Sequence, residues 1–378
     1  MKIGVPNETW PGETRAALVP DGVRRLVKLG AQVEVESGLG ATIGGGDVDY
    51  VSAGASIATD RHALLASADV LLRVRKPPIE EVEWLKSGSV HISFLDPFNE
   101  RKLLGRLAER GVNAISMEMM PRITRAQKMD ALSSQANLAG YVAIILAARH
   151  LPKIFPMMMT AAGTISPARV LVIGAGVAGL QAIATARRLG ARVEAFDSRP
   201  AVEEEVRSLG ARFLKIDLGE TSQAEGGYAR APTEDQLRRQ RQALKRFCAE
   251  ADAVITAAQV FGRRAPVLLT ADVLAAMKAG SVVVDLAVES GGNVEGIDPG
   301  QMTDRNGVKI IACANLAGYV PVHASQTYSA NVTALVEEFW DKAGKRFELR
   351  TDDEILRACL VTHAGRICHE RLGTSLSG

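Results

Sequence analysis

Short apolar runs alternate along this chain with amphipathic segments, which is the pattern of a parallel β-sheet with helices on both faces. In the first third of the chain the runs predict short strands over residues 2–6, 32–36, 68–74, 91–95 and 113–116. An amphipathic segment at 21–29, followed by Gly30, predicts the helix between the first two strands. These elements make one α/β unit that ends near residue 130.

A second series of the same kind begins with the buried run RVLVI at 169–173. The helix predicted after it covers 177–189 and ends at Gly190. Further strands are predicted over residues 192–196, 208–216, 253–257, 281–286 and 308–312. From residue 329 onward the pattern is mainly helical, and we expect part of this segment to pack on the first unit.

The expected fold is therefore α/β, with two Rossmann-like domains whose parallel sheets are flanked by helices and with a cleft between them. The first domain comprises residues 1–133 and the returning helices of 329–378. The second domain comprises residues 134–328.

Composition narrows the class of protein. Apolar residues make up 47% of the chain and charged residues 23%, which excludes a disordered or fibrous chain. With 45 Lys and Arg against 43 Asp and Glu, the net charge of +2 does not favour nucleic acid as a partner. The four cysteines form no CxxC pair, and His363, Cys368 and His369 match no standard zinc spacing, so we predict reduced thiols and no metal.

Export and membrane signals are not evident in the pattern. The N-terminus opens directly into a strand pattern and has no basic region followed by a long apolar stretch. Nearly uncharged runs such as 141–148 are far shorter than the roughly 20 apolar residues that cross a bilayer. We therefore expect the chain not to span a membrane.

The strongest chemical motif is a glycine-rich loop, GAGVAG at 174–179, which follows a buried strand and opens a helix. Gly174 allows a tight turn, Gly176 allows a pyrophosphate to approach the backbone, and Gly179 allows helix and strand to pack closely. The helix N-terminus would hold the phosphates. The predicted cofactor contacts are Gly174, Gly176, Val177, Ala178, Gly179, Asp197, Ser198, Arg199 and Thr256.

Asp197 ends the next strand, 23 residues after Gly174. An acidic side chain there accepts hydrogen bonds from the adenosine ribose and repels a 2′-phosphate, which favours NAD over NADP. Arg199 is close enough to weaken that preference. The alternative is a tight strand–helix turn that binds no nucleotide.

Residues 120–141 are rich in polar side chains that could bind a ligand: Arg122, Arg125, Gln127, Asp130, Ser133, Ser134, Gln135 and Asn137. Much of this segment is predicted to be helical. A solvated linker helix is the alternative, but the segment connects the two units and would pass near the mouth of the expected cleft.

The opening of the chain, Gly4-Val5-Pro6 with Glu8, Glu13 and Arg15, resembles the one shared by alanine dehydrogenase and the NAD(H)-binding component of proton-translocating NAD(P) transhydrogenase, its alpha subunit or domain I. Residues 120–141 and the glycine loop with Asp197 match both families. The resemblance covers nearly the whole chain.

Three features favour the transhydrogenase side of this resemblance. Alanine dehydrogenases use a Lys and a His in catalysis, and these positions fall on Arg75 and Asp96 here, while Glu289 stands where they have Asp. An insertion at 219–250, with EGGYAR at 225–230, resembles the mobile loop of transhydrogenases, although an ordinary surface loop would show the same composition. The sequence also stops where the first transhydrogenase component would end.

The resemblance implies that the chain binds NAD(H) and transfers hydride from NADH to NADP held by a partner component, while a membrane-spanning component translocates protons. It also implies a homodimer in the cytoplasm, docked peripherally at the inner membrane through its partners. Arg122, Gln127, Asp130 and Ser133 would orient the dihydronicotinamide and its ribose, and Tyr228 would close over the nucleotide. The alternatives are an alanine dehydrogenase-like amino-acid dehydrogenase with rearranged acid and base groups, and a non-catalytic NAD-binding subunit.

Overall fold

The structure is a computed structural model that describes residues 1–217 and 233–373. The chain forms two compact units. Unit 1 contains Met1–Gln135 and Gly318–Gly378, and unit 2 contains Ala136–Ala317. The chain thus returns to unit 1 at Gly318, whereas the sequence pattern placed the start of the returning segment at residue 329.

The elements of unit 1 begin with a run of alternating strands and helices. Its first strands are β1 (Lys2–Val5), β2 (Gln32–Glu36), β3 (Ser56–Ala58), β4 (Val70–Leu72), β5 (Val90–Ser93) and β6 (Asn113–Ser116). The helices among and after them are α1 (Pro20–Lys28), α2 (Asp47–Ser52), α3 (Arg61–Ser67), α4 (Arg101–Glu109) and α5 (Ala131–His150). Helix α5 continues into unit 2.

Unit 2 has the same alternation. Its strands are β7 (Met158–Thr160), β8 (Gly163–Ile165), β9 (Arg169–Ile173), β10 (Arg192–Phe196), β11 (Arg212–Phe213), β12 (Ala253–Thr256), β13 (Val282–Asp285), β14 (Met302–Arg305) and β15 (Val308–Ile311). Its own helices are α6 (Val177–Arg188), α7 (Glu203–Ser208), α8 (Glu234–Glu250) and α9 (Ala271–Leu274). The chain then returns to unit 1 with α10 (Pro321–Glu338), β16 (Trp340–Asp341), β17 (Arg346–Phe347), α11 (Glu354–Cys359), β18 (Leu360–His363), β19 (Arg366–Ile367) and α12 (Glu370–Gly373).

Both large sheets have the strand order of a doubly wound fold. Unit 1 has the order β19-β18-β6-β5-β4-β1-β2-β3, in which β1 to β6 are parallel. Unit 2 has the order β11-β10-β9-β12-β13-β15-β14, parallel except for β14. In each sheet the order reverses beside the first strand, between β1 and β4 and between β9 and β12. Ligands of such sheets bind outside the carboxyl ends of the strands at this point.

The predicted fold class is confirmed, and its physical basis is visible in the burial pattern. Every residue of β5, β6, β12 and β13 is buried. Helices cover both faces of such strands, which is why the runs AVI at 253–255 and VVV at 282–284 are continuously apolar rather than alternating.

Two predicted segments differ from the structure. Over residues 208–216, where a strand was expected, the structure has the end of α7 followed by the two-residue edge strand β11. Gly210 has φ 78°, a left-handed conformation that terminates the helix. The tail expected to be mainly helical contains β18, which pairs antiparallel with β6, and β19, which pairs antiparallel with β18, so both strands extend the sheet of unit 1. An edge pairing of this kind depends on a partner far away in sequence, so local pattern does not reveal it.

Helix α5 is the one helix of the described residues that is long and apolar enough to cross a membrane. At its start, Ser134 Oγ donates to Asn331 Oδ1 at 2.7 Å and Gln135 Nε2 donates to the Ala324 carbonyl at 3.1 Å, both on α10. Further along, a Cβ on Gly140 would lie only 2.1 Å from the carbonyl oxygen of Ala178 on α6. Helix α5 thus packs against α10 at its start and against α6 further along.

Candidate functional site

The glycine loop lies at the switch point of the unit 2 sheet. Gly174 follows β9 with φ 98°, a conformation that side-chain-bearing residues rarely adopt, and its N–H donates to the Phe196 carbonyl at 2.8 Å. A Cβ there would lie 2.8 Å from the carbonyl carbon of Ala257, which follows β12. A Cβ on Gly179 would lie 1.8 Å from the Gly174 carbonyl oxygen. Both glycines are therefore required by close packing of backbone on backbone.

Gly176 has a different environment. It is the N-cap residue of α6, and nothing lies within 4 Å of the position its Cβ would occupy. Among the described residues, no side chain caps this helix. The first-turn N–H groups of α6 and the positive end of its dipole thus lie beside open space, which fits an anionic group such as a pyrophosphate.

Asp197 follows β10 and is held against the glycine loop. Its side chain is 6% exposed. Its Oδ2 accepts the Ala175 N–H at 2.8 Å, and its two oxygens accept the guanidinium of Arg199 at 2.9 Å each. The hydrogen bond and charge of Asp197 raise the pKa of Arg199. The acid that would bind a ribose is therefore already paired with its neighbour.

The other predicted cofactor residues of unit 2 differ in exposure. Val177, Ala178 and Ser198 are half-buried beside the loop. Thr256 is fully buried at the end of β12, and its carbonyl accepts the Leu286 N–H at 2.8 Å. Its side chain is thus enclosed by protein.

The segment after β12 is fixed by a residue that sequence reasoning did not select. Asn293 is fully buried, and its Nδ2 donates to the Ala258 and Pro266 carbonyls at 2.9 and 2.8 Å. Its Oδ1 accepts the Ala258 N–H at 3.1 Å. Buried Asp285 accepts the Asn293 N–H at 2.7 Å. Burial raises the pKa of this carboxyl, and it outweighs the hydrogen bond, which acts to lower the pKa. The sequence signal that could have identified Asn293 was its amide side chain directly after the two glycines at 291–292.

In unit 1, Asp130 and Ser133 are brought together at the start of α5. The Ser133 N–H donates to Asp130 Oδ1 at 2.9 Å, and its Oγ donates to Oδ2 at 2.6 Å. This is the geometry of a helix N-cap, which stabilises the helix end whether or not a ligand is present. Both side chains are half-buried, so they remain accessible to a ligand.

Arg122 and Gln127 are exposed on the segment that precedes α5, and Gln127 lies in a 3₁₀ turn over Thr124–Met129. Arg125 of the same turn forms ion pairs with Asp353. Ser134 and Gln135 bond to α10 instead of facing a ligand. The structure therefore divides the polar segment into accessible and structural positions.

A buried charged cluster occupies the switch point of the unit 1 sheet. Glu13 accepts Arg15 Nε and Nη2 at 2.7 and 2.6 Å and Arg75 Nε at 2.8 Å. Burial acts to raise the pKa of Glu13, but the hydrogen bonds and charges of these arginines outweigh it and lower the pKa to about 2. Glu8 accepts the N–H groups of Val74 and Arg75 at 2.6 and 3.2 Å, and burial raises its pKa.

The neighbouring turn after β5 is held in the same way. Half-buried Glu118 accepts the Asp96 N–H at 2.6 Å, and Asp96 itself has φ 53°. Lys76 pairs with Glu100 at 2.6 Å. The positions that match the dehydrogenase Lys and His are thus an arginine bound to Glu13 and an aspartate on a constrained turn.

Several other predictions concern the surface and the insertion. Tyr228 and the EGGYAR segment lie outside the described residues. Helix α8 begins with a capping box, in which the Thr233 N–H donates to Gln236 Oε1 at 2.9 Å and the Gln236 N–H donates to Thr233 Oγ1 at 3.3 Å. Arg238 and Arg239 pair with Asp235 on the solvent side. In the described residues, no group of three or more His, Cys, Asp or Glu side chains is arranged to hold a metal.

The fold and site define a family. Residues 4–139 match the family described as alanine dehydrogenase/PNT, N-terminal domain, and residues 143–370 match alanine dehydrogenase/PNT, C-terminal domain. The chain therefore belongs to the alanine dehydrogenase/PNT family.

Within that family the similarity to transhydrogenases is higher. The chain is 43% identical over 379 residues to the first part of the NAD(P) transhydrogenase subunit alpha of Rhodospirillum rubrum, and the alignment covers 98% of this chain and 99% of that protein. It is 32% identical to the alanine dehydrogenase of Halomonas elongata, over 98% of this chain and 95% of that one. The solved transhydrogenase of Sinorhizobium meliloti aligns with a TM-score of 0.84 at 42% identity, over 98% of this chain and 100% of that structure. The resemblance drawn from the sequence is confirmed.

Proposed function

We propose that this chain is the NAD(H)-binding subunit of a proton-translocating NAD(P) transhydrogenase. It passes hydride from NADH to NADP held by a partner component, and a membrane-spanning component couples this step to proton translocation. The observation that carries the proposal is the α6 N-terminus at Gly176, which no described side chain caps, in a chain that matches transhydrogenase alpha subunits along nearly its whole length.

The residues of unit 2 fit a dinucleotide. The open side of Gly176 leaves room for the pyrophosphate, and the N–H groups of Val177 and Ala178 in the first turn of α6 would bind it. Asp197 lies where the adenosine ribose is bound in such folds. We assign the adenosine half of NAD(H) to this loop.

The nicotinamide ring supplies the hydride chemistry when NAD(H) is bound. Donor and acceptor rings are of the same type and no proton changes hands, so the protein needs no general acid or base. The work of its residues is to position the ring and exclude water. We assign orientation of the ring and its ribose to Arg122, Gln127, Asp130 and Ser133, and closure over the nucleotide to Tyr228.

The test of this function follows the hydride itself. The purified chain is mixed with NADP, the family's NADP-binding component and NADH carrying deuterium at both C4 positions. NADPH that carries deuterium, detected by mass spectrometry, is the expected product, and omission of either protein should abolish it. Lack of labelled NADPH at every ratio of the two proteins would refute the proposal.

The role of Arg122 has a matched control in the same segment. Arg122→Ala should lower the hydride transfer rate by about tenfold or more while NADH affinity changes far less, because misplacing a reacting ring costs rate more than binding. Arg125→Ala also removes an exposed guanidinium, but Arg125 pairs with Asp353, and this variant should keep the rate. Equal loss of rate and affinity in Arg122→Ala would contradict the assigned role.

The competing functions give different results with the same protein. An amino-acid dehydrogenase would oxidise NADH with pyruvate and ammonia in the absence of any partner. The engagement of Arg75 by Glu13 argues against it, because a substrate carboxylate would have to compete with a buried ion pair. A non-catalytic NAD-binding subunit would bind NADH and form no labelled NADPH with any partner.

A homodimer is part of the proposal, and the hairpin of β7 and β8 supports it. All residues of both strands are exposed. Met157, Met158, Met159 and Ile165 are between 44% and 80% exposed, although methionine and isoleucine are usually buried. A second copy of the chain that covers this hairpin would remove the apolar surface from water. Attachment to the membrane then comes through the partner components.

A further inference from the structure

The carboxylate of Asp197 has four N–H donors within the chain. Its Oδ2 accepts the Ala175 N–H at 2.8 Å and Arg199 Nη2 at 2.9 Å. Its Oδ1 accepts the Arg199 N–H at 2.8 Å and Arg199 Nε at 2.9 Å. Two of these donors are main-chain groups, and the other two belong to one guanidinium.

This arrangement uses the whole acceptor capacity of the side chain. An ionised carboxylate offers about four lone-pair sites, two on each oxygen. The Asp197 side chain is 6% exposed and that of Arg199 is 15% exposed, so water does not compete strongly with these bonds. A ribose hydroxyl that donates to Asp197 must therefore displace a donor already in place.

The guanidinium is the donor that can leave. The Ala175 N–H is fixed by the glycine loop, and the Arg199 N–H is fixed by the turn after β10. The Arg199 side chain, in contrast, can rotate about several bonds. If the two guanidinium N–H groups of Arg199 left, one acceptor site would open on each oxygen of the Asp197 carboxylate. Two such sites match the two hydroxyls of a ribose.

We infer that Arg199 competes with the adenosine ribose for Asp197, so that binding of NAD(H) displaces the Arg199 guanidinium and Arg199 limits the affinity of the site. This inference rests on the proposed NAD(H) site. Part of the binding free energy of the ribose is spent on breaking the internal ion pair. Because this cost weakens the binding of the coenzyme, it assists release of the oxidised form after each hydride transfer.

The competition predicts an unusual sign for a substitution. Arg199→Met removes the guanidinium but keeps the two main-chain donors to Asp197, and it should bind NADH about three- to tenfold more tightly than the unchanged chain. Loss of a positive charge near an anionic cofactor would by itself weaken binding, so tighter binding cannot come from the change in net charge.

The matched control is Arg192→Met. Arg192 is exposed at the opposite end of the same strand, and its loss changes the charge of unit 2 equally without touching Asp197. Its affinity for NADH, measured by calorimetry, should stay within about twofold of the unchanged chain. Thermal unfolding of each variant checks that unit 2 remains folded.

A second pair of ligands tests whether the ribose hydroxyls are responsible. The gain in Arg199→Met should appear with AMP and vanish with 2′,3′-dideoxy-AMP, which has no hydroxyl to place on the opened oxygens. If Arg199→Met binds NADH no better than Arg192→Met, or if the dideoxy ligand shows the same gain, the competition is refuted. Failure of the unchanged chain to bind NADH at all would instead refute the proposed function, and the inference with it.

Discussion

The glycine loop offers a prediction in which stability and binding separate cleanly. Gly179→Ala places a Cβ 1.8 Å from the Gly174 carbonyl oxygen, a backbone atom that cannot rotate away as a flexible side chain could. Restoring a contact of about 3 Å requires α6 to move by about 1 Å relative to the strand end. Gly176→Ala places its Cβ in space where nothing lies within 4 Å.

The magnitudes follow from these two environments. Overpacking of a tight site costs about 1–3 kcal/mol, and a contact of 1.8 Å with a backbone atom corresponds to the upper end of that range. Better helix propensity returns about 0.5–1 kcal/mol, so Gly179→Ala should lose about 2 kcal/mol of unfolding free energy. That loss corresponds to a fall of about 4–8 °C in Tm for a unit of this size. At Gly176 the poorer N-cap and the stiffer unfolded chain oppose each other, and stability should change by less than about 1 kcal/mol.

Binding should show the reverse order. Gly176→Ala places a methyl group in the open space at the start of α6, where we place the pyrophosphate, and should weaken NADH binding by about tenfold or more. Tm by calorimetry and NADH affinity by fluorescence titration measure the two effects. Normal NADH binding by Gly176→Ala would show that the phosphates do not lie on this face, and a normal Tm for Gly179→Ala would refute the packing argument.

Three further predictions concern stability and assembly. Burial, aided by the charge of Arg73, lowers the pKa of His91 to about 3. Between about pH 6.5 and that value, only the unfolded state takes up a proton on this histidine. Stability therefore falls as pH falls, by about 1.4 kcal/mol per pH unit. Urea midpoints at about pH 7 and pH 5 should therefore differ more for the unchanged chain than for His91→Gln; equal differences would refute this. Asn293→Ala should lower stability by about 2–4 kcal/mol, because three buried hydrogen bonds are lost, and an unchanged urea midpoint would contradict it. Met159→Asp on the hairpin should turn the proposed dimer into a monomer in sedimentation experiments. Met302→Asp changes another exposed methionine and should leave the dimer intact. If both variants are equally dimeric, the hairpin is not the interface.

The elements around the glycine loop could be predicted closely because their determinants are local. The predicted strands at 169–173 and 192–196 coincide with β9 and β10, and the predicted helix at 177–189 differs from α6 by one residue. A buried strand, a glycine turn and an amphipathic helix each leave a mark within a few residues of sequence. Gly174 and Gly179 have the close backbone contacts that the motif requires.

The clusters that depend on distant partners could not be predicted in the same way. The pairing of Glu13 with Arg75 joins turns that follow different strands, and the contact of Asn293 with Pro266 joins two loops of unit 2. Ser134 and Gln135 looked like ligand-binding groups, but their partners lie on α10, almost two hundred residues further along the chain. Polarity in the sequence does not distinguish a side chain that binds a ligand from one that bonds to the protein.

The α/β class, the position of the glycine loop and the family resemblance could all be inferred from the order of residues, because periodicity and short motifs record the local requirements of strand, turn and helix. Three features became visible in the folded chain alone: Arg199 saturates Asp197, Gly176 faces open space, and the C-terminal segment adds two strands to the first sheet. Burial and hydrogen-bond occupancy are properties of neighbours in space, and chain folding rather than adjacency in sequence sets those neighbours.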